Sequence, residues 1–237
     1  MTPDDMIAKV LDPEFECLDG GLANDLLREF FRGYPVENLK LLIHSDLSSA
    51  RGTASFIATE LGLLAAPLLV DIASLLTQPT ARSRYDALSA LRACATYKDG
   101  WAIAIVLKCL DDPWPGVRMG AIDAVRVGER QALIAGFNHL KSKDPESVYA
   151  RFGKAFLKAE RGNNEVIVTL ISDKDPIVRR FGVGLAARPR LVVDQTRLKL
   201  AATSIDPEVS EYATQATEHV LPPWGTLFSS PPSNPTR

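Results

Sequence analysis

Histidine and cysteine are scarce in this chain, three of each in 237 residues. Catalysis at neutral pH usually recruits His, Cys or a close carboxylate pair. Here His44, His139 and His219 stand far apart in sequence, and no Cys-x-x-Cys occurs. A three-histidine metal site is therefore not expected, and each histidine reads as a helix-end or surface residue. Gly-x-Gly-x-x-Gly, a Walker loop and Gly-x-Ser-x-Gly are also missing, which leaves no patterned phosphate cradle or nucleophile elbow. The expectation is a protein with no catalytic residue, no metal and no cofactor.

Long apolar runs are missing too. Leu61–Val70 and Trp101–Leu107 are cut short by Asp71 and Lys108, well below the roughly 20 residues needed to cross a bilayer. The opening MTPDDMIAKVL carries acids where a signal peptide carries cations. Cys17, Cys94 and Cys109 are too few and odd in number for a disulfide framework, and the last two lie in apolar helical segments. They read as reduced core residues of a cytoplasmic protein. Net charge is small, −2 from 27 Lys and Arg against 29 Asp and Glu, and a hydrophobic fraction of 46% supports a folded core.

What the chain does have is a repeat. Ala50, Ser83, Val117, Val148, Val178 and Val209 mark a recurring frame, spaced 33, 34, 31, 30 and 31 residues apart. Four residues after these anchors stand Ala54, Ala87, Ala121, Phe152, Gly182 and Ala213. Seven after stand Ile57, Ala90, Ala124, Ala155, Leu185 and Ala216. Spacing of four and seven keeps both sets on one helix face, and their small size lets neighbouring helices approach. Eight residues before the anchors come Leu42, Leu75, Cys109, Leu140, Leu170 and Ala201, which belong to the preceding helix. The polar turns SDLSS, TQPTAR, DDPWPG, SKDPES, SDKDP and SIDPE separate the two. Four hold Asp before Pro, a pair suited to starting a helix.

Each period is thus helix, turn, helix, and no such pair buries its apolar face alone. The sequence predicts an all-α fold, an α-solenoid of about six helix pairs in one superhelical domain. The solenoid should occupy residues 35–221. Residues 1–34 form an N-terminal segment whose amphipathic stretch 22–33 caps the first repeat. Residues 222–237, with five prolines in sixteen positions, read as a mobile tail.

The Asp-Pro turn followed by Val-Arg and small residues, read at Asp112, Pro113, Val117, Arg118 and Ala121 and again at Asp175, Pro176, Val178 and Arg179, resembles the HEAT-like repeat family and its bacterial variants. The first two repeats keep Arg51 and Arg84 without the Asp-Pro turn, and two later ones carry Tyr149 or Ser210 in place of Arg. Some HEAT-like enzymes hold a di-iron centre through repeated His-Glu pairs. The lone adjacent pair here, Glu218 then His219, is reversed.

The resemblance implies that the helices starting at the anchors line a concave face. Their remaining positions carry Arg51, Arg84, Arg92, Arg118, Arg126, Arg151, Lys154, Lys158, Arg179 and Arg180, giving way to Glu208, Glu211 and Glu218. Two readings compete for these cations. The arginines just after the anchors suit a structural ladder to turn aspartates. The deeper ones form either a solvated face or a surface for an acidic partner. Tyr85, Trp114 and Tyr149 are candidate interface aromatics. The candidate partner-binding set is Arg84, Tyr85, Arg92, Trp114, Arg126, Tyr149, Arg151, Lys154, Lys158 and Arg180.

The expected function is a non-catalytic protein-binding module. Its partner would be an acidic protein, or a toxin that it neutralises as HEAT-like immunity proteins do. The alternative is nucleic-acid binding of the HEAT-like DNA glycosylase type, which a net charge of −2 disfavours. A lyase or scaffold for a chromophore protein is a third class that nothing in the sequence selects.

Overall fold

The computed structural model describes residues 1–14, 20–189 and 195–218, and every regular element among them is helical. Helices α1 (Pro3–Val10) and α2 (Gly21–Phe31) precede six pairs: α3 (Lys40–Ile43) with α4 (Ser48–Leu61), α5 (Leu69–Ser74) with α6 (Ala81–Cys94), and α7 (Gly100–Lys108) with α8 (Pro115–Val127). Then come α9 (Arg130–Lys143) with α10 (Phe152–Glu160), α11 (Asn164–Ile171) with α12 (Pro176–Ala186), and α13 (Thr196–Ala202) with α14 (Pro207–Thr217). The six-pair solenoid expected from the repeat is what the chain forms. The segment 222–237, Cys17 and His219 lie outside the described residues.

The anchor frame maps onto the core. Ala50, Val117, Val178 and Val209 are buried, as are Ala54, Ala87, Ala121 and Ala213 four residues on, and Leu42, Leu75 and Ala201 eight residues before. Turn chemistry follows the sequence as well. Asp175 and Asp206 accept from the backbone N–H groups of Ile177 and Glu208, with Pro176 and Pro207 at the first helical positions. At the other end, Thr2 and Asp5 form a reciprocal capping box that starts α1. This helix, unforeseen in the segment before the first repeat, packs on α2, α3 and α4.

One stretch, Ser48–Thr77, is 30 residues long with a mean hydropathy of 1.8 in its most apolar window, enough by length and composition to cross a membrane. It is not one helix. Gly62, at φ 55°, ends α4, and a 3-10 turn holding Pro67 carries the chain to α5. Ala50, Ile57, Leu68 and Ile72 from this stretch are fully buried in the stack.

The fourth repeat departs from the frame. A regular stack would set α10 between α8 and α12. Instead α12 packs directly on α8, so the inner row runs α4, α6, α8, α12, α14, and α10 lies against α9 and α11. Side-chain size accounts for the exchange. A Cβ on Gly184 of α12 would sit 2.9 Å from both the Ile122 carbonyl oxygen and Val125 Cβ of α8, so the two backbones meet at a glycine. At the plus-four position, where the other repeats have Ala or Gly, the fourth carries Phe152. Its ring stacks on Phe181 of α12, with centroids 4.0 Å apart and planes 4° from parallel.

The seam is held by Arg188, just past α12. Buried to 4% exposure, it donates through Nη1 to the carbonyls of Val125 (2.6 Å) and Gly128 (3.1 Å) at the C-terminus of α8. It also pairs with Glu160 of α10 at 3.3 Å and lies over the Phe156 ring.

Candidate functional site

The arginines of the inner row are not a free basic surface. Every arginine of α6, α8 and α12 has a carboxylate. Arg84 makes a two-pronged contact with Asp112 at 2.8 and 2.9 Å. Arg179 reaches Asp206 at 3.0 Å, and Arg82 reaches Asp86 at 2.8 Å within α6. Arg118 and Arg180, from α8 and α12, converge on Glu208 at the start of α14. Arg92 and Arg126 converge on Asp123, which also accepts the Tyr212 hydroxyl at 3.0 Å. The arginine after each of four anchors also donates to a carbonyl six residues earlier: Arg51 to Ser45, Arg84 to Gln78, Arg118 to Asp112 and Arg179 to Asp173. This ladder ties each helix to its own turn, and in Arg84 and Arg179 to the next turn's aspartate.

The electrostatics fit a buried lattice. Burial draws Arg92 down to about 10, against the pull of Asp123 and Tyr212. Burial also lowers Arg126, but Tyr212 and Asp123 more than offset it, and its pKa ends above the ordinary value. Burial and the Asp123 charge together hold the Tyr212 phenol well above its usual range. A buried pair of this kind adds little net stability, but removing one partner strands the other. The lattice therefore fixes helix positions more than it adds energy.

Of the sequence candidates, Arg84, Arg92, Arg126 and Arg180 belong to this lattice. Tyr85 and Trp114 are partly buried and meet edge to face, centroids 6.3 Å apart. Tyr149 is partly buried, its hydroxyl donating to the Lys108 carbonyl at 3.2 Å. Arg151, Lys154 and Lys158 are exposed, on α10 and the turn before it, and α10 lies against α9 and α11 rather than in the row that α12 forms with α8. His44 pairs with Asp71 at 2.8 Å, and among the described residues no group of His, Cys, Asp and Glu is placed to hold a metal. Cys94 and Cys109 are buried free thiols, each pushed up to about 12 by burial.

A groove of about 960 Å³ opens between α4 and α6. Ser and Thr are the commonest residues of its lining, among them Ser48, Ser55, Thr59, Thr80 and Ser89, but its exposed surface is mostly apolar and includes the rings of Phe56 and Tyr85, and Thr59 and Ser89 already donate to carbonyls of their own helices. Charge enters as Glu60, Arg92 and the Arg82–Asp86 pair, where burial raises the Asp86 pKa against the pull of Arg82. Gly52 opens the middle, since a Cβ there meets nothing within 4 Å. Sequence reasoning found Tyr85 and Arg92 but missed the rest of this lining. Serines and threonines on adjacent helices carry no pattern until the helices are paired.

A second, smaller groove of about 390 Å³ lies between α9 and α10. Lys141, Lys154, Lys158 and Arg161 surround Ile134, Phe137 and Leu157. Gly153 permits the close approach of the two helices, its would-be Cβ only 3.0 Å from Phe137 Cβ.

Solved structures of other proteins show a distant similarity to this chain. One neighbour is an archaeal HEAT-like repeat protein. It comes from Thermococcus onnurineus NA1 and is 14% identical over 92% of this chain and 96% of its own, with a TM-score of 0.45. Another is an engineered protein, 18% identical over 93% of this chain and 97% of its own, with a TM-score of 0.41. Likeness at this level says nothing about what the chain does, and the solenoid is established by its own helix packing. No family model and no curated protein matches the sequence.

Proposed function

We propose that this HEAT-like solenoid is a non-catalytic scaffold that binds a protein partner in the groove between α4 and α6. The observation that carries the reading is that groove: about 960 Å³ of mostly apolar, Ser- and Thr-lined space on the inner row, bordered by aromatics and by side chains already locked in ion pairs. Such a wall loses little rotamer freedom when a partner docks. Its hydroxyls suit the main chain and polar side chains of a polypeptide. A nucleic-acid partner in this groove is disfavoured because the arginines of α6, α8 and α12 are neutralised by carboxylates, which leaves little field for phosphates along the inner row. An immunity role, in which the solenoid covers a toxin's active surface, falls within this reading. A toxin gene beside this one would mark it.

Gly52→Trp is the test. The indole projects into the groove from a position where an added Cβ meets nothing within 4 Å, so the fold should survive. In affinity capture from extract of the source cells, a protein retained by the parent chain should be lost by Gly52→Trp at unchanged helical circular dichroism. Identical recovery by both chains would overturn the assignment of the groove.

A further inference from the structure

The groove between α9 and α10 is distinctly basic. Residues 130–161 carry seven Lys and Arg against three Asp and Glu, a local +4 in a chain whose net charge is −2. The inner-row arginines of α6, α8 and α12 are all ion-paired. By contrast, the four cations that rim this groove, Lys141, Lys154, Lys158 and Arg161, are exposed and have no carboxylate among the described residues. Glu160, at the end of α10 beside Arg161, is taken by Arg130 at 3.6 Å and Arg188 at 3.3 Å. Lys154 and Lys158 stand four residues apart on α10, one above the other on its exposed face. Between the charges the surface is apolar, with Ile134 and Leu157 half-buried over a buried Phe137.

We propose that this groove is a second docking site, which takes an acidic amphipathic segment of a partner protein: one or two large apolar side chains seated over Ile134 and Leu157, flanked by Asp or Glu facing the four cations. The apolar floor separates this occupant from a nucleic acid. Phe137 is only 2% exposed and offers no face for a base to stack on, whereas a Leu or Phe side chain fits a floor of this size. Complementary charge around an apolar anchor steers the encounter and sets its specificity. The groove shares no lining residue with the one between α4 and α6, so either site stands if the other fails.

The experiment is a selection from a displayed library of random peptides about twelve residues long, using the full chain as bait and the Lys154→Glu/Lys158→Glu variant as counter-bait. Both lysines are exposed, and circular dichroism checks that the variant keeps its helices. The expected result is enrichment of peptides with Asp and Glu flanking Leu, Ile, Met or Phe. Their affinity should fall about tenfold or more on the variant and stay unchanged on Gly52→Trp. Failure to enrich any peptide over the variant, enrichment without acidic residues, or tighter binding of a short oligonucleotide than of the selected peptides would each overturn the proposal.

Discussion

The direct contact of α12 with α8 can be tested by making one chemical change at two glycines. Replacing Gly by Ala inside a helix stabilises it by up to about 1 kcal/mol through backbone entropy alone. At Gly52 nothing opposes that gain, because the new Cβ meets no atom within 4 Å. At Gly184 the same methyl would sit 2.9 Å from the Ile122 carbonyl oxygen and from Val125 Cβ. Both are atoms of a packed helix that cannot swing away. Overpacking of this kind costs about 1–3 kcal/mol, so the expected net at Gly184 is a loss of up to about 2 kcal/mol. For a chain of this size each kcal/mol moves Tm by about 2–4 °C. Gly52→Ala should therefore raise Tm by about 1–4 °C and Gly184→Ala should lower it by up to about 8 °C, read by circular dichroism melts at equal concentration. If both substitutions raise Tm alike, α12 does not lie against α8 as described, and the exchange of α12 for α10 in the row falls with it.

Two further outcomes follow from the lattice. Glu208→Gln strands Arg118 and Arg180 on the inner row, and should cost about 2–4 kcal/mol in urea unfolding, while the exposed Glu146→Gln stays within about 0.5 kcal/mol; equal effects would show that the Glu208 contacts carry no structural weight. Burial raises the phenols of Tyr85, Tyr149 and Tyr212. Stability from these groups should be constant below about pH 10, the unfolded tyrosine value, and fall above it, because the unfolded chain releases those protons first; phenolate absorbance of the native protein that develops fully near pH 10 would contradict this.

Much of the fold was legible because it is written in side-chain size at fixed spacing. The anchors at Ala50, Val117, Val178 and Val209 are buried as read, and the Asp-Pro pairs at 175–176 and 206–207 cap helices as read. The capping box at Thr2 and Asp5 was equally open to reading, being a local pattern, but it lies outside the repeat. The position of α10 was less accessible. Phe152 in a column of Ala and Gly was the one local sign, and its meaning depends on Phe181, nearly thirty residues away. The candidate site suffered for the same reason. Arg126 stands three residues from Asp123 on one helix, a legible pairing, but Arg92 looks free in sequence because it meets the same Asp123 from another helix. Arg118 finds Glu208 ninety residues on. Pairing across a superhelix leaves no trace in spacing.

The exchanged helix also sets how far charges reach along the row. With α10 lying against α9 and α11, the row from α8 to α14 is one helix shorter than the repeat count implies. That leaves α14 two places from α8, close enough for Glu208 to meet Arg118 and Tyr212 to meet Asp123. The C-terminal helices of the row thus spend their polar side chains on one another, and the open groove lies at the other end, between α4 and α6.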